Sequence, residues 1–379
     1  MMNNTEITQT PEVQNEKKKR ELWGLPLFSW IFFGLAALAL IIMLVYNLSE
    51  GFANFYNRYP AALFRGILAG ISSILPCSIA EAFILFIPAL LVAVIIYANK
   101  RFTESWRAVG KFLLIILSVA SLFFSTFALN FGAGYHTSSV DELLELDRED
   151  VSAEQLRETA EILVEEINKY TDSLGVNAAG STVMPYGYDK LSAKLLEAYD
   201  KVSEEYSFIS RFPSRVKPVM LSEPWTYTHI AGVYTYFTGE ANINVNFPDY
   251  TLPYTAAHEM AHQRGIARED EANFVAFLVC IASDDEYIRY SGYLNLYEYV
   301  ANALYSADKD AYVEVRSGLD AKARIEMSAY SAFFDKYREN VAANVTETVN
   351  NTYLTIQGTP GTKSYGMVVD LAVAYLLGK

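Results

Sequence analysis

The chain has 379 residues, 52% of them hydrophobic, and a formal net charge of −14, a combination that fits poorly in one compact soluble domain. Residues 1–131 hold 10 Lys and Arg against 7 Asp and Glu, whereas the remainder holds 20 against 37. So acidic a remainder excludes nucleic acid as a partner, because phosphate binding needs clustered Lys and Arg.

In chain order, residues 1–21 are polar and end in Lys17-Lys18-Lys19-Arg20. No short apolar stretch with a small-residue cleavage site follows, so the segment reads as a cytoplasmic tail and not as a cleaved signal peptide. Leu22–Ser49 has no charged residue, and Leu27–Tyr46 supplies the roughly 20 apolar residues a helix needs to cross a bilayer. Trp23, Trp30 and Tyr46 are available as interfacial anchors. Pro60–Leu75, which contains Arg65, is expected to lie on the outer interface as a helix. A second span is expected from Ile79 to Ala98, with Ser78-Ile79-Ala80-Glu81 read as a capping box. A third runs from Phe112 to Asn130. Lys100, Arg101, Arg107 and Lys111 fill the connection between the last two spans. With the Lys17–Arg20 cluster they place both connections inside, by the bias of Lys and Arg toward cytoplasmic loops. The expected layout is a tail (1–21), a multi-pass membrane domain (22–131) in the cell membrane, and an extracytoplasmic domain (132–379).

In that last domain, Ala153–Leu174 has a helical apolar stripe of Leu156, Ala160, Leu163 and Ile167 behind a Ser152 cap. A second helix is expected over Tyr188–Tyr206. The period then changes, and Lys217–Ser222, His229–Phe237 and Ala241–Asn246 read as strands. The alternation of Asn242, Asn244 and Asn246 suggests either an edge strand able to bind an extended peptide or an ordinary hairpin strand. Leu252 to Lys379 is mostly helical, with a turn-rich break at Gly358–Gly361. The fold class is therefore α+β and helix-dominated, with a small sheet. Cys77 and Cys280 lie outside any C-x-x-C pair and are expected to be buried free thiols.

The chemistry is carried by His258-Glu259-Met260-Ala261-His262. On a helix, positions i and i+4 share a face, so both imidazoles can reach one metal ion and Glu259 can reach a water beside it. The chain contains four histidines, so the coincidence is uncommon. A catalytic zinc site needs a third protein ligand and an open position for water. Glu269 and Glu271 open the next helix. Two residues apart, they point roughly 200° away from each other, so one of them can face the metal. Ala272, Asn273, Ala276 and Cys280 lie on the face of Glu269, and these mostly small residues favour Glu269; Asn273 is then a possible hydrogen-bond partner of a ligating histidine.

Helical H-E-x-x-H followed by Glu269-x-x-Ala272-Asn273 resembles the gluzincin metallopeptidases. It is most like the ImmA/IrrE-type enzymes, and a related form occurs in CAAX-processing membrane peptidases. The six residues between His262 and Glu269 are fewer than gluzincins usually have. The whole layout also resembles an uncharacterised bacterial membrane-protein family with H-E-x-x-H, in which a stretch like Phe237–Asn242 precedes the motif. The gluzincin resemblance implies a gluzincin-like ectodomain that binds Zn2+ through His258, His262 and Glu269. It also implies peptide hydrolysis by a metal-activated water with Glu259 as general base, a peptide or protein substrate, and the register that selects Glu269. His229, Tyr234 and Tyr236 are candidates for a second oxyanion donor. The alternative is a metal-binding but non-hydrolytic membrane sensor or scaffold.

Overall fold

The computed structural model describes residues 21–378, except Trp23, Glu149 and Glu339, with the side chains of Glu21, Leu22 and Tyr365 left out. The Lys17–Arg20 cluster and the anchor Trp23 fall outside the described residues. Among the described residues, three helices are long and apolar enough to cross a bilayer: α1 (Leu27–Leu48), α4 (Ile79–Phe102) and α5 (Trp106–Asn130). Between the first two run α2 (Glu50–Tyr56), a π-helical turn at Asn57–Ala61 and α3 (Ala62–Ser73). Pro60 lies in the wide turn, which is how the run absorbs a residue that cannot donate a backbone hydrogen bond.

The chain divides into two compact units, 1–45 with 83–129, and 46–82 with 130–379. In the first, Ser118 bonds Ser29 at 2.9 Å and the rings of Phe83 and Phe123 stand 6.0 Å apart. The second unit takes in residues 46–82, which the sequence assigned to the membrane domain. The reason is one helix face: Ala53, Ala61, Arg65, Ala69 and Ser72 are buried there. Glycines on the facing segments permit close approach; a Cβ on Gly239 would stand 2.6 Å from Leu68 Cβ.

In the second unit, α6 (Ala153–Thr171) starts at a capping box formed by Ser152 and Gln155. It packs on α10 (Glu286–Ala307), with α7 (Tyr188–Glu205) against α9 (Glu269–Ala282). Leu163, Ile167, Phe274, Phe277, Leu294 and Tyr297 fill the core between them. The chain continues through α11 (Lys309–Gly318), α12 (Ala321–Asp335), α13 (Val341–Ile356) and α14 (Val368–Leu376). The break expected at Gly358–Gly361 falls between the last two, and a 3-10 turn at Gly361–Met367 follows it.

The sheet has three short strands, β1 (Val216–Pro218), β2 (Gly232–Thr235) and β3 (Glu240–Ile243), in the order β1-β3-β2. The Asn-rich strand is therefore central, parallel to β1 and antiparallel to β2. Asn242 within it and Asn244 just beyond it do not face outward. Asn242 donates to Val233 O at 3.2 Å and Asn244 to Ile230 O at 3.2 Å, both from buried positions. The edge strands are β1 and β2.

Two further expectations change. Ser78 does cap Glu81 N at 2.9 Å, but the Glu81 carboxylate turns away to accept the amides of Met220 and Leu221 at 2.9 and 2.8 Å. The Glu240 carboxylate instead takes the Ile79 and Ala80 amides, each at 2.9 Å. Of the two thiols, Cys280 is buried and Cys77 is exposed.

Candidate metal centre

The H-E-x-x-H segment lies on α8 (Thr251–Gln263), a helix buried on nearly every side. Pro253 is tolerated because it falls in the first turn. Three bonds fix the helix: Tyr199 OH to Ala257 O at 2.6 Å, Tyr254 OH to Asn273 O at 2.9 Å, and Gln263 Nε2 to Gly239 O at 2.6 Å. Gly265, with φ +93°, ends it in the left-handed region, and Ile266 N returns to Ala261 O at 3.2 Å. This tight reversal is why six residues suffice. α9 begins at Glu269 itself, directly beside the histidines.

The Nε2 atoms of His258 and His262 lie 3.2 and 3.3 Å from one oxygen of Glu269. Donor atoms from the three residues all fall within 4.8 Å of one another, so the group can hold a metal ion. The two imidazoles are nearly perpendicular, their centroids 4.5 Å apart. His262 Nδ1 faces Ile266 O at 2.7 Å; a carbonyl only accepts, so Nδ1 carries a proton, and in the neutral imidazole that would ligate a metal the lone pair lies on Nε2. Phe131 stands edge-on to the His262 ring at 5.9 Å. His258 Nδ1 has no hydrogen-bond partner among the described residues, so Asn273 does not serve it. Asn273 Nδ2 instead meets Tyr299 OH at 3.5 Å.

Burial and mutual charge set the protonation of the group. Burial pushes the Glu259 carboxyl up to about 7, against the pull of both imidazoles. For His262, burial opposes the charge, but the Glu269 carboxylate outweighs it and lifts the imidazole to about 9. Burial acts on Glu269 in the opposite sense, yet the same two histidines hold its carboxyl well below the usual range. Glu271 is elsewhere: its carboxylate accepts Val140 N at 3.1 Å and pairs with Arg268, and burial lifts it to about 7.

Glu259 and His258 stand where two cavities adjoin, one of about 540 Å³ and one of about 470 Å³. Both are also lined by Gly232 on β2 and by Thr346 and Asn350 on α13. The larger mixes polar and apolar walls, with Thr228, Thr255 and Asn295 among the polar ones. The smaller is aromatic and apolar, with Tyr135, Tyr236, Val349 and Tyr353.

The DUF3810 model, described as a protein of unknown function, matches residues 56–373, most of the chain and all of this site. The chain belongs to the DUF3810 family. No curated protein and no solved structure matches this DUF3810 chain.

Of the three expected oxyanion donors, His229 lines the larger cavity and holds Tyr337 O at 2.7 Å. Tyr234 and Tyr236 line the smaller, and the Tyr234 hydroxyl is buried without a hydrogen-bond partner among the described residues. Sequence reasoning missed Gly232, whose added Cβ would stand 2.5 Å from Glu259 Oε1 and 2.7 Å from its Cγ. It also missed Tyr353, whose hydroxyl meets that of Tyr135 at 3.0 Å. Neither belongs to a motif of regular spacing; both come to the site through tertiary packing.

Proposed function

We propose that the chain is a membrane-anchored, gluzincin-like zinc metallopeptidase that hydrolyses peptide bonds, its catalytic domain outside the cytoplasmic membrane. The observation that carries this reading is the convergence of His258 Nε2 and His262 Nε2 on one Glu269 oxygen, at 3.2 and 3.3 Å, beside buried Glu259. That oxygen is buried and accepts no other hydrogen bond among the described residues, as befits an atom kept for a cation. Two imidazoles and a carboxylate are a donor set of catalytic zinc. Zinc held there would make water acidic near neutral pH and polarise a carbonyl.

The chain's own groups supply the rest. Glu259 takes a proton from the attacking water and returns it to the leaving amine, the general-base and then general-acid role. Ala231 O accepts Asn244 N at 2.7 Å, so the alternation of the antiparallel ladder turns the main-chain groups of Gly232 and Tyr234 outward, where the Tyr234 amide meets Glu259 and the other groups are free to pair. An extended peptide or protein segment can add to that edge and lie across the two cavities.

The test uses the full-length protein in lipid nanodiscs. About one zinc per chain is expected, and His258→Ala with His262→Ala should abolish it. Glu259→Gln should keep the metal and lose cleavage of an unbiased peptide library. Stoichiometric zinc in the double variant, or full cleavage by Glu259→Gln, sinks the reading.

A further inference from the structure

We infer that the helical run 50–73 is a lipid-facing support for the metal-binding turn. One face lies in the bilayer surface, and Arg65 on the other face holds the link between His262 and Glu269. This goes beyond the proposed hydrolysis and does not depend on it.

The first argument is chain geometry. The run follows α1, which ends at Leu48, and precedes α4, which begins at Ile79. A run of this length could itself cross. The Lys17–Arg20 cluster and the basic α4–α5 connection share the cytoplasmic side only if an even number of spans separates them, and α1 with α4 make two. A crossing run would make three and part the clusters, so the run lies along the surface.

The second argument is the uncovered face. Phe55, Tyr59, Leu63, Ile67 and Ile71 recur every fourth residue and are 49–63% exposed. A stripe of this length left in water would be abnormal for a soluble surface, whereas an interfacial helix buries such a stripe among headgroups and acyl chains. Exposed Arg58, its guanidinium 5.7 Å from the Tyr59 ring, suits the headgroup level.

The opposite face reaches the metal-binding turn. Arg65 is fully buried and donates to Asn130 O at 2.6 Å, Asn57 O at 2.7 Å, Asn57 Oδ1 at 2.9 Å and Arg264 O at 3.2 Å. Asn57 Nδ2 adds a bond to Gly265 O at 3.0 Å. Residues 264 and 265 belong to the six-residue link that delivers Glu269, and a Cβ on Gly265 would collide with the Arg65 guanidinium. Arg65 and Asn57 are thus positioning residues for the third donor.

The experiment uses full-length protein in phosphatidylcholine–phosphatidylglycerol vesicles. A nitroxide is attached at Ile67→Cys or Leu63→Cys in a Cys77→Ser background. Collision with oxygen should exceed collision with a water-soluble nickel chelate several-fold. Val313→Cys, on exposed α11, should show the reverse. A chelate-accessible label at position 67 overturns the lipid contact. So does spin–spin broadening between labels, which would show a second copy covering the stripe. The positioning arm reads hydrogen exchange of residues 264–269 and zinc affinity in Asn57→Ala, Arg65→Lys and Arg65→Met. Exchange should rise at least about tenfold and zinc binding fall in Asn57→Ala and Arg65→Met, with Arg65→Lys between, while α10 is unchanged. Should Arg65→Met not fold, Asn57→Ala decides; wild-type exchange and zinc affinity in it overturn the positioning role. A wild-type chain that binds no zinc would sink the metal reading and leave the exchange and lipid results standing.

Discussion

Single side chains decide most of what the site can do. Glu269 stands with the two histidines, whereas Glu271 faces Val140 and Arg268. Glu269→Gln should therefore lower zinc affinity by more than about 100-fold, beyond the loss typical of an outer partner, while Glu271→Gln changes it only a few-fold; competition with a chelator measures both. Burial holds the Glu271 carboxyl up at about 7. A carboxyl raised above its unfolded value of about 4.3 favours folding when protonated, and that contribution is lost as pH rises through 7. Glu271→Gln should thus raise the thermal midpoint relative to wild type more at pH 8 than at pH 5. Gly232→Ala should leave zinc affinity intact but displace Glu259, lowering kcat of any cleavage at least about tenfold, a small part of general-base catalysis. The histidine pair was legible in the sequence because helical spacing puts positions i and i+4 on one face, and Glu259 because it is the residue next to the first of them. The face of Glu269 was legible in the same way. Gly232 was not, because which residue of a strand meets a helix depends on register, and a sequence states no register.

At the scale of elements, existence was readable and order was not. The three apolar helices, α6, α7 and the strand-rich middle follow from period and composition. Strand order does not, since the alternation of Asn242, Asn244 and Asn246 is equally that of an edge or of a central strand with satisfied amides. Helix caps behaved likewise. Ser78 was found from local sequence, but the carboxylate that serves the first turn of α4 is Glu240, 160 residues away from Ala80. Two charge-assisted bonds to amides at a helix N-terminus are each worth about 1.5 kcal/mol or more. Glu240→Ala should consequently destabilise the protein by about 3 kcal/mol, read as a lower denaturant midpoint, with Glu240→Gln recovering part of the loss. An unchanged midpoint for Glu240→Ala would show that water replaces the carboxylate at no cost.

For the whole molecule, charge division separated an apolar basic third from an acidic remainder, yet the compact units cut the chain differently. The segment 46–82 reads as membrane from its mean hydropathy, because a single Arg65 in an apolar run gives no sign of the carbonyls it will meet. Orientation rests on a simpler argument. The connection between α4 and α5 carries Lys100, Arg101 and Arg107, with Lys111 one turn further on. The Lys17–Arg20 cluster precedes α1. If the three candidate helices all span, an odd number of spans separates that cluster from Gly132 and an even number separates it from the α4–α5 connection, so the two basic clusters would share one side and residues 132–379 take the other. Lys and Arg are retained on the cytoplasmic side, which supports the proposal that the candidate metal centre lies outside. Protease added to intact cells should therefore degrade residues 132–379 while a cytoplasmic marker survives, and a Cys label at Val313→Cys should react with a membrane-impermeant maleimide. Protection of both until lysis would place the site inside and make any substrate a cytoplasmic one.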